Sequence, residues 1–236
     1  MQITGGGNNN NNNNIDPEGL TNVLNQVLRS DVFVREALGV HLELVNPMDV
    51  PTTFTLNQPN IIKIEFQNGY TAIPALSASA SALQYLKLPN FNIVFVANQF
   101  YGLSSLKAIS YQGEPYEDGT VKFPNNCSIS SGNLLGLLPN IKKIIFHSFA
   151  LNAIFATMSG LSDLVFLGNI TVSANLIFTA CPNITRQSLI DLFNALVDRT
   201  GLTASTITIT AASYNRLTPA DIAIATAKNF TIVSGT

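Results

Sequence analysis

The sequence predicts an α/β repeat fold. It would be a solenoid of short parallel strands, with a short helical segment at its N-terminal end and an α/β cap at its C-terminal end. Three observations predict it. One hexamer pattern recurs through the middle of the chain, and the closing segment alternates helical and strand periodicities. Charge is also scarce: 11% of the 236 residues are Asp, Glu, Lys or Arg against 46% hydrophobic, where about a quarter charged is ordinary. A surface so poor in charge must be covered by Asn, Ser, Thr and Gly, or be buried against partners.

The chain opens "MQITGGGNNNNNNNID". Residues 5–14 carry no apolar surface to offset the entropy of ordering them, so they are either a tether or are held from outside. Residues 1–15 are expected to be a docking arm or linker, with Gly5, Gly6, Gly7, Asn8, Asn11 and Asn14 as its docking residues. A helix follows, with Asp16 as cap and Pro17 in the first turn. Its stripe of Leu20, Val23, Leu24, Val27 and Leu28 has helical spacing. Leu20, Leu24 and Leu28 would serve assembly between copies or close the end of the repeats. A second short helix is expected from Ser30 to a stop at Gly39. Val40, Leu42 and Leu44 then alternate with polar residues as a half-buried strand. Residues 16–55 form this N-terminal unit.

The repeats fill residues 56–185. The segments "IIKIEF", "LQYLKL", "LKAISY", "IKKIIF" and "LVFLGN" begin at Ile61, Leu83, Leu106, Ile141 and Leu164, which lie 22, 23, 35 and 23 residues apart. Each has apolar residues at positions one and four, and all but the last at position six; the fifth ends in Asn169. A period of about 20–29 residues with L-x-x-L-x-L is the leucine-rich-repeat signature. One such unit cannot bury its own apolar face, so neighbours must stack and the ends must be capped. The long gap contains "GEPYEDGTVKFP", and residues 112–124 are expected to be an inserted loop or hairpin. With strands lining one concave face, positions three and five point outward from it. Lys63, Tyr85, Lys87, Lys143, Ile145 and Phe166 are therefore the candidate binding residues.

Residues 186–236 change pattern. "RQSLIDLFNALVDRTG" predicts a helix burying Leu189, Leu192, Phe193 and Leu196, with Gly201 past its end. "STITITA" alternates as a strand with Ile207 and Ile209 facing in. Thr218 and Pro219 open another helix, and "FTIV" closes as a strand.

Little here suggests catalysis. His41 and His147 are the only histidines, and neither has a nucleophile or carboxylate pattern around it. No phosphate-binding loop, zinc motif or nucleophile elbow occurs, and "YEDG" at 116–119 is a turn. No cofactor and no metal site is expected. Twelve basic against fourteen acidic side chains leave no footprint for nucleic acid. Cys127 and Cys181 are expected to be buried thiols. No apolar run is long enough to span a membrane.

The block from Ser188 to Ile232 resembles the C-terminal end of BspA-like leucine-rich-repeat proteins. It includes Leu189, Asn194, Leu196, Asp198, Thr200-Gly201, Thr206-Ile207-Thr208-Ile209, Leu217-Thr218, Asp221, Ala223-Ile224-Ala225-Thr226, Lys228 and Thr231. The usual Gly-Trp after the lysine is Asn229-Phe230 here. That family occurs on bacterial surfaces and in structural proteins of bacteriophages, and the resemblance implies a non-enzymatic binding or structural solenoid. With no basic n-region and apolar stretch at its start, the chain is expected to be made in the host cytoplasm and incorporated into a virion. There it would be a fibre, decoration or tail-associated protein. Its partners would be other virion proteins, copies of itself, and a host-surface glycan or protein. The alternatives are a bacterial cell-surface adhesin domain and a cytoplasmic peptide-binding scaffold.

Overall fold

The computed structural model describes residues 32–35, 41–44, 61–69, 73, 76, 82–129, 134–151 and 158–235. The expected docking arm (Gly5, Gly6, Gly7, Asn8, Asn11, Asn14) and the helical stripe of Leu20, Leu24 and Leu28 lie outside the described residues.

The fold is α/β, with mostly parallel strands and few helices. An 8-stranded sheet runs in the order β1 (Val32–Arg35), β2 (His41–Leu44), β3 (Lys63–Phe66), β4 (Tyr85–Leu88), β6 (Ala108–Tyr111), β7 (Thr120–Lys122), β9 (Lys143–Phe146), β11 (Asp163–Phe166). Between these strands the chain visits a 4-stranded sheet of β5 (Val94–Phe95), β8 (Cys127–Ile129), β10 (Phe149–Leu151) and β12 (Ile170–Val172). From β2 onward, every pairing in both sheets is parallel.

The hexamer pattern produces this arrangement directly. Positions one, four and six fall on the inner face, and Ile64, Phe66, Leu83, Leu86, Leu88, Leu106, Ile141 and Ile144 are fully sealed from solvent. Each strand stacks the same positions on its neighbour: Ile64 pairs with Leu86, and Leu86 with Ile109. A rail of backbone hydrogen bonds precedes the strands. Gln84 N donates to Ile62 O, Lys107 N to Gln84 O, Gly119 N to Lys107 O, Lys142 N to Gly119 O and Ser162 N to Lys142 O, each at 2.8 Å, and Thr185 N donates to Ser162 O at 2.9 Å. Phenylalanines fill the space between the two sheets. Phe95 meets Phe123 and Phe123 meets Phe149 edge to face, with centroids 5.3 and 5.1 Å apart, a preferred aromatic geometry.

Four expectations are corrected. Val32–Arg35 is a strand antiparallel to β2, with Val32 opposite Leu44 and Arg35 opposite His41, not a second helix. The run Val32-Phe33-Val34 favours a pleated surface, and pairing satisfies its backbone. The segment 112–124 is not only a loop, because Thr120–Lys122 enters the long sheet between β6 and β9. Its unit, "DGTVKF", keeps Val121 and Phe123 at positions four and six, both fully buried, but has Asp118 at position one. The last repeat is "LSDLVF", beginning at Leu161: Leu164 pairs with Ile144 and Phe166 with Phe146. The departure at Asn169 therefore disappears, and Leu167, expected to face inward, is 61% exposed.

The fourth correction is the C-terminal helix, α1, which spans only Arg186–Ala195. Thr185 caps it by accepting the Ser188 amide, and Leu189, Leu192 and Phe193 are buried as expected. The chain then turns extended because Leu196 bridges to Ile170 and Val197 N donates to Ile170 O at 2.9 Å. Pairing with the open edge of β12 displaces further helical turns. Lys228 Nζ donates to the carbonyls of Phe193, Asn194 and Leu196, which satisfies and charge-stabilises the helix end.

A 3-stranded parallel sheet of β13 (Leu176–Phe178), β14 (Ser205–Thr210) and β15 (Phe230–Gly235) closes the described chain. Ile207 and Ile209 are fully buried in it. A short helix α2 (Ala211–Tyr214) precedes α3 (Pro219–Thr226). Thr218 caps α3 as expected, with Pro219 in its first turn, and Asp221 completes a reciprocal capping box. Arg186 clamps the Asp221 carboxylate with two bonds of 2.8 Å, joining α3 to α1.

Candidate functional site

The outward face of the long sheet is built by positions three and five of each unit. In chain order these are Lys63 and Glu65, Tyr85 and Lys87, Ala108 and Ser110, Thr120 and Lys122, Lys143 and Ile145, Asp163 and Val165. The structure brings four of the predicted residues, Lys63, Tyr85, Lys87 and Lys143, around one feature. Ile145 sits beside Val165 at the far end of the face.

That feature is the segment linking β6 to β7. Adjacent parallel strands need a connection that returns the chain to the starting end. The β4–β6, β7–β9 and β9–β11 connections pass through the second sheet, whereas residues 112–119 return across the outward face. Tyr116 is the centre of the contact. Its ring lies 4.9 Å from Lys87 Nζ and 5.4 Å from Lys63 Nζ, and it meets the Tyr85 ring edge-on at 5.2 Å. Its hydroxyl donates to Glu65 Oε1 at 3.4 Å. Burial first and the Glu65 carboxylate second push the Tyr116 phenol up, so it keeps its proton and remains a donor. Burial, then the hydrogen bond with Asp118, raises Tyr85 as well, and Lys107 Nζ lies 5.9 Å over the Tyr85 ring.

Electrostatics hold the flanks of the segment. Lys122 pairs with Glu114 at 3.6 Å and Glu117 at 3.7 Å, and Lys143 pairs with Glu117 at 3.4 Å. Beneath it the floor is made of small side chains. Ala108, Ser110 and Thr120 are buried although they stand at outward positions. Ser110 Oγ reaches the carbonyl oxygens of Glu114 and Pro115, each at 3.0 Å. Beside this face Tyr111 Oη and His147 Nε2 are hydrogen-bonded at 3.2 Å, which accounts for His147.

Phe166 is not an outward residue. It occupies position six, half-buried, with its ring parallel to Phe146 at 5.4 Å. It does border a separate open groove of about 420 Å³ between the end of β11 and α1, lined also by Leu167, Gly168, Asn169, Asp191 and Asn194. The turn there demands Gly168, since a Cβ would lie 2.7 Å from Ser148 N. Asp191 already accepts from Gln187 Nε2 at 2.8 Å.

No protein-family model matches the chain, and no curated protein or solved structure matches it.

Among the described residues, no group of three or more His, Cys, Asp or Glu side chains could hold a metal ion, and no helix is long and apolar enough to cross a membrane. What the face offers is recognition chemistry: ammonium donors, phenol rings and a trough of small residues. Sequence reasoning missed Tyr116, Lys107, Lys122 and Glu117. Counting lysines was the available signal, because five of the seven in the chain, Lys63, Lys87, Lys107, Lys122 and Lys143, gather here.

Proposed function

We propose that the chain is a non-enzymatic bacteriophage virion protein, a fibre, decoration or tail-associated component, built as a leucine-rich-repeat solenoid that binds through the outward face of its long sheet. The observation that carries the solenoid reading is the backbone rail from Ile62 to Thr185, in which successive units repeat the same hydrogen bond. A rail of this kind belongs to quasi-one-dimensional stacking, in which each unit contacts only its neighbours.

Two sequence features support the virion assignment: the BspA-like pattern from Ser188 to Ile232 and the glycine–asparagine arm at 5–14. In this reading the arm docks into the particle or onto sister copies, and the solenoid is presented for attachment to a host-surface protein or glycan. The concentration of lysine and tyrosine on one face of a chain with only 11% charged residues favours that face as the contact surface.

Immunolabelling of purified particles is the direct test, with the chain expected on the virion. Deletion of residues 1–15 should leave the melting curve unchanged and remove the protein from sedimented particles. Recovery of the chain in the bacterial envelope, with none on particles, would overturn the assignment in favour of a cell-surface adhesin.

A further inference from the structure

We propose that residues 113–118 are a built-in occupant of a peptide-binding trough, and that an acidic, tyrosine-containing segment of a partner protein exchanges with them. The inference rests on the reading of the outward face as the binding surface.

The trough has a definite shape. Its floor, Ala108, Ser110 and Thr120, spans the adjacent strands β6 and β7, a width of about 5 Å between strand axes. Long side chains stand on both sides, with Tyr85 and Lys87 on β4 and Lys143 and Ile145 on β9. That is room for one extended chain. The chain lying there, Glu-Pro-Tyr-Glu-Asp, carries two acids paired with lysines, Glu114 and Glu117, and one tyrosine whose ring lies 4.9 and 5.4 Å from two ammonium groups. The trough therefore displays its own ligand specificity.

The occupant is held in a way that permits exchange. No aliphatic side chain of residues 113–118 enters the core; half-buried Tyr116 and the Ser110 hydroxyl on the Glu114 and Pro115 carbonyls are what anchor the segment. The acid–lysine contacts of 3.4 to 3.7 Å are long and open to salt screening. Glycines in the left-handed region bound the segment, Gly113 at φ +92° and Gly119 at φ +80°. A Cβ on Gly113 would meet nothing within 4 Å, so that end moves without a clash. Gly119 stays fixed, because its amide and carbonyl both belong to the rail. It is thus a hinge rather than part of the moving piece.

Internal occupancy lowers the apparent affinity for an external segment by the fraction of time the trough is open. The test uses the full chain and a fluorescent peptide of residues 112–119. A triple variant Glu114→Gln, Tyr116→Ala, Glu117→Gln is expected to bind the peptide about tenfold or more tightly than wild type at low salt. A further Lys87→Ala change should remove that binding. A folded triple variant with no gain, or equal binding of a peptide with its tyrosine and acids replaced by alanine and amides, overturns the proposal. Equal binding of a sulfated glycan overturns the peptide specificity.

Hydrogen exchange on the wild-type chain covers the case of a triple variant that does not fold. Amides of 113–118 should exchange faster when peptide is added in excess, and unchanged rates overturn the idea. Particle labelling is independent of all these outcomes. A chain found on virions but indifferent to the peptide would sink the exchange alone.

Discussion

Ser188 Oγ accepts the backbone amide of Leu164 at 2.9 Å, so a helix side chain occupies the slot that the next strand of the long sheet would fill. The same hydroxyl lies 3.4 Å from Ser162 O. An open sheet edge presents unpaired amides that invite pairing with other chains. Here α1 covers β11 while Leu196 and Val197 cover β12, so both sheets are closed by one stretch of sequence. Ser188→Ala would strand the buried Leu164 amide and should cost about 1–3 kcal/mol, measured by urea unfolding.

The register of the last repeat makes a second prediction. Phe166→Ala removes a ring stacked on Phe146 and should destabilise by about 1–3 kcal/mol. Ile145→Ser, on the outward face, should change stability by no more than about 0.5 kcal/mol. The opposite order in thermal melts would favour the register starting at Leu164.

Asn229 holds a left-handed backbone conformation, with φ at +64°. Asparagine tolerates the left-handed region better than other non-glycine residues. Its side chain also donates to Arg199 O at 3.1 Å and Leu202 O at 2.7 Å. Asn229→Gly should lose about 1 kcal/mol through those bonds. Asn229→Ala should lose a further 1–2 kcal/mol or so through backbone strain. Melting temperatures of the two variants would rank them.

Acid should loosen the junction between α1 and α3. The Arg186 clamp, followed by the Thr218 amide, holds Asp221 at about 2 against an ordinary 3.8. A depressed carboxylate contributes stability that is complete above the unfolded value and lost as pH falls through the folded one. Wild-type stability should therefore drop between about pH 4 and about pH 2, and Asp221→Asn should flatten that part of the profile. An unchanged slope in the variant would rule out this pair as the cause.

Both thiols should be silent in the native protein. Burial pushes Cys127 up to about 12 and Cys181 to about 11, and the thiolate is the reactive form. Ellman's reagent at about pH 8 should titrate neither cysteine until denaturant is added. Prompt labelling of either one would show that its environment opens readily.

Much was legible in the sequence alone. Aliphatic residues at positions one, four and six can be buried only against copies of themselves, so their recurrence specified parallel strands with a common inner face. Likewise Thr218 and Pro219 specified a helix start through local capping chemistry, and the strict alternation around Ile207 and Ile209 specified a strand. The pattern was degenerate where apolar residues recur every three positions. Leu161, Leu164 and Leu167 satisfy the hexamer in two registers. Only the long-range contacts, Phe166 on Phe146 and Ser162 N on Lys142 O, select between them. The covering of the outward face was likewise invisible, because Tyr116 meets Lys63, Glu65, Tyr85 and Lys87 across large sequence separations. Electrostatic and aromatic contacts between distant residues leave no local period to detect. Tertiary structure alone decided which lysines gather on the outward face and which carboxylates and rings they meet.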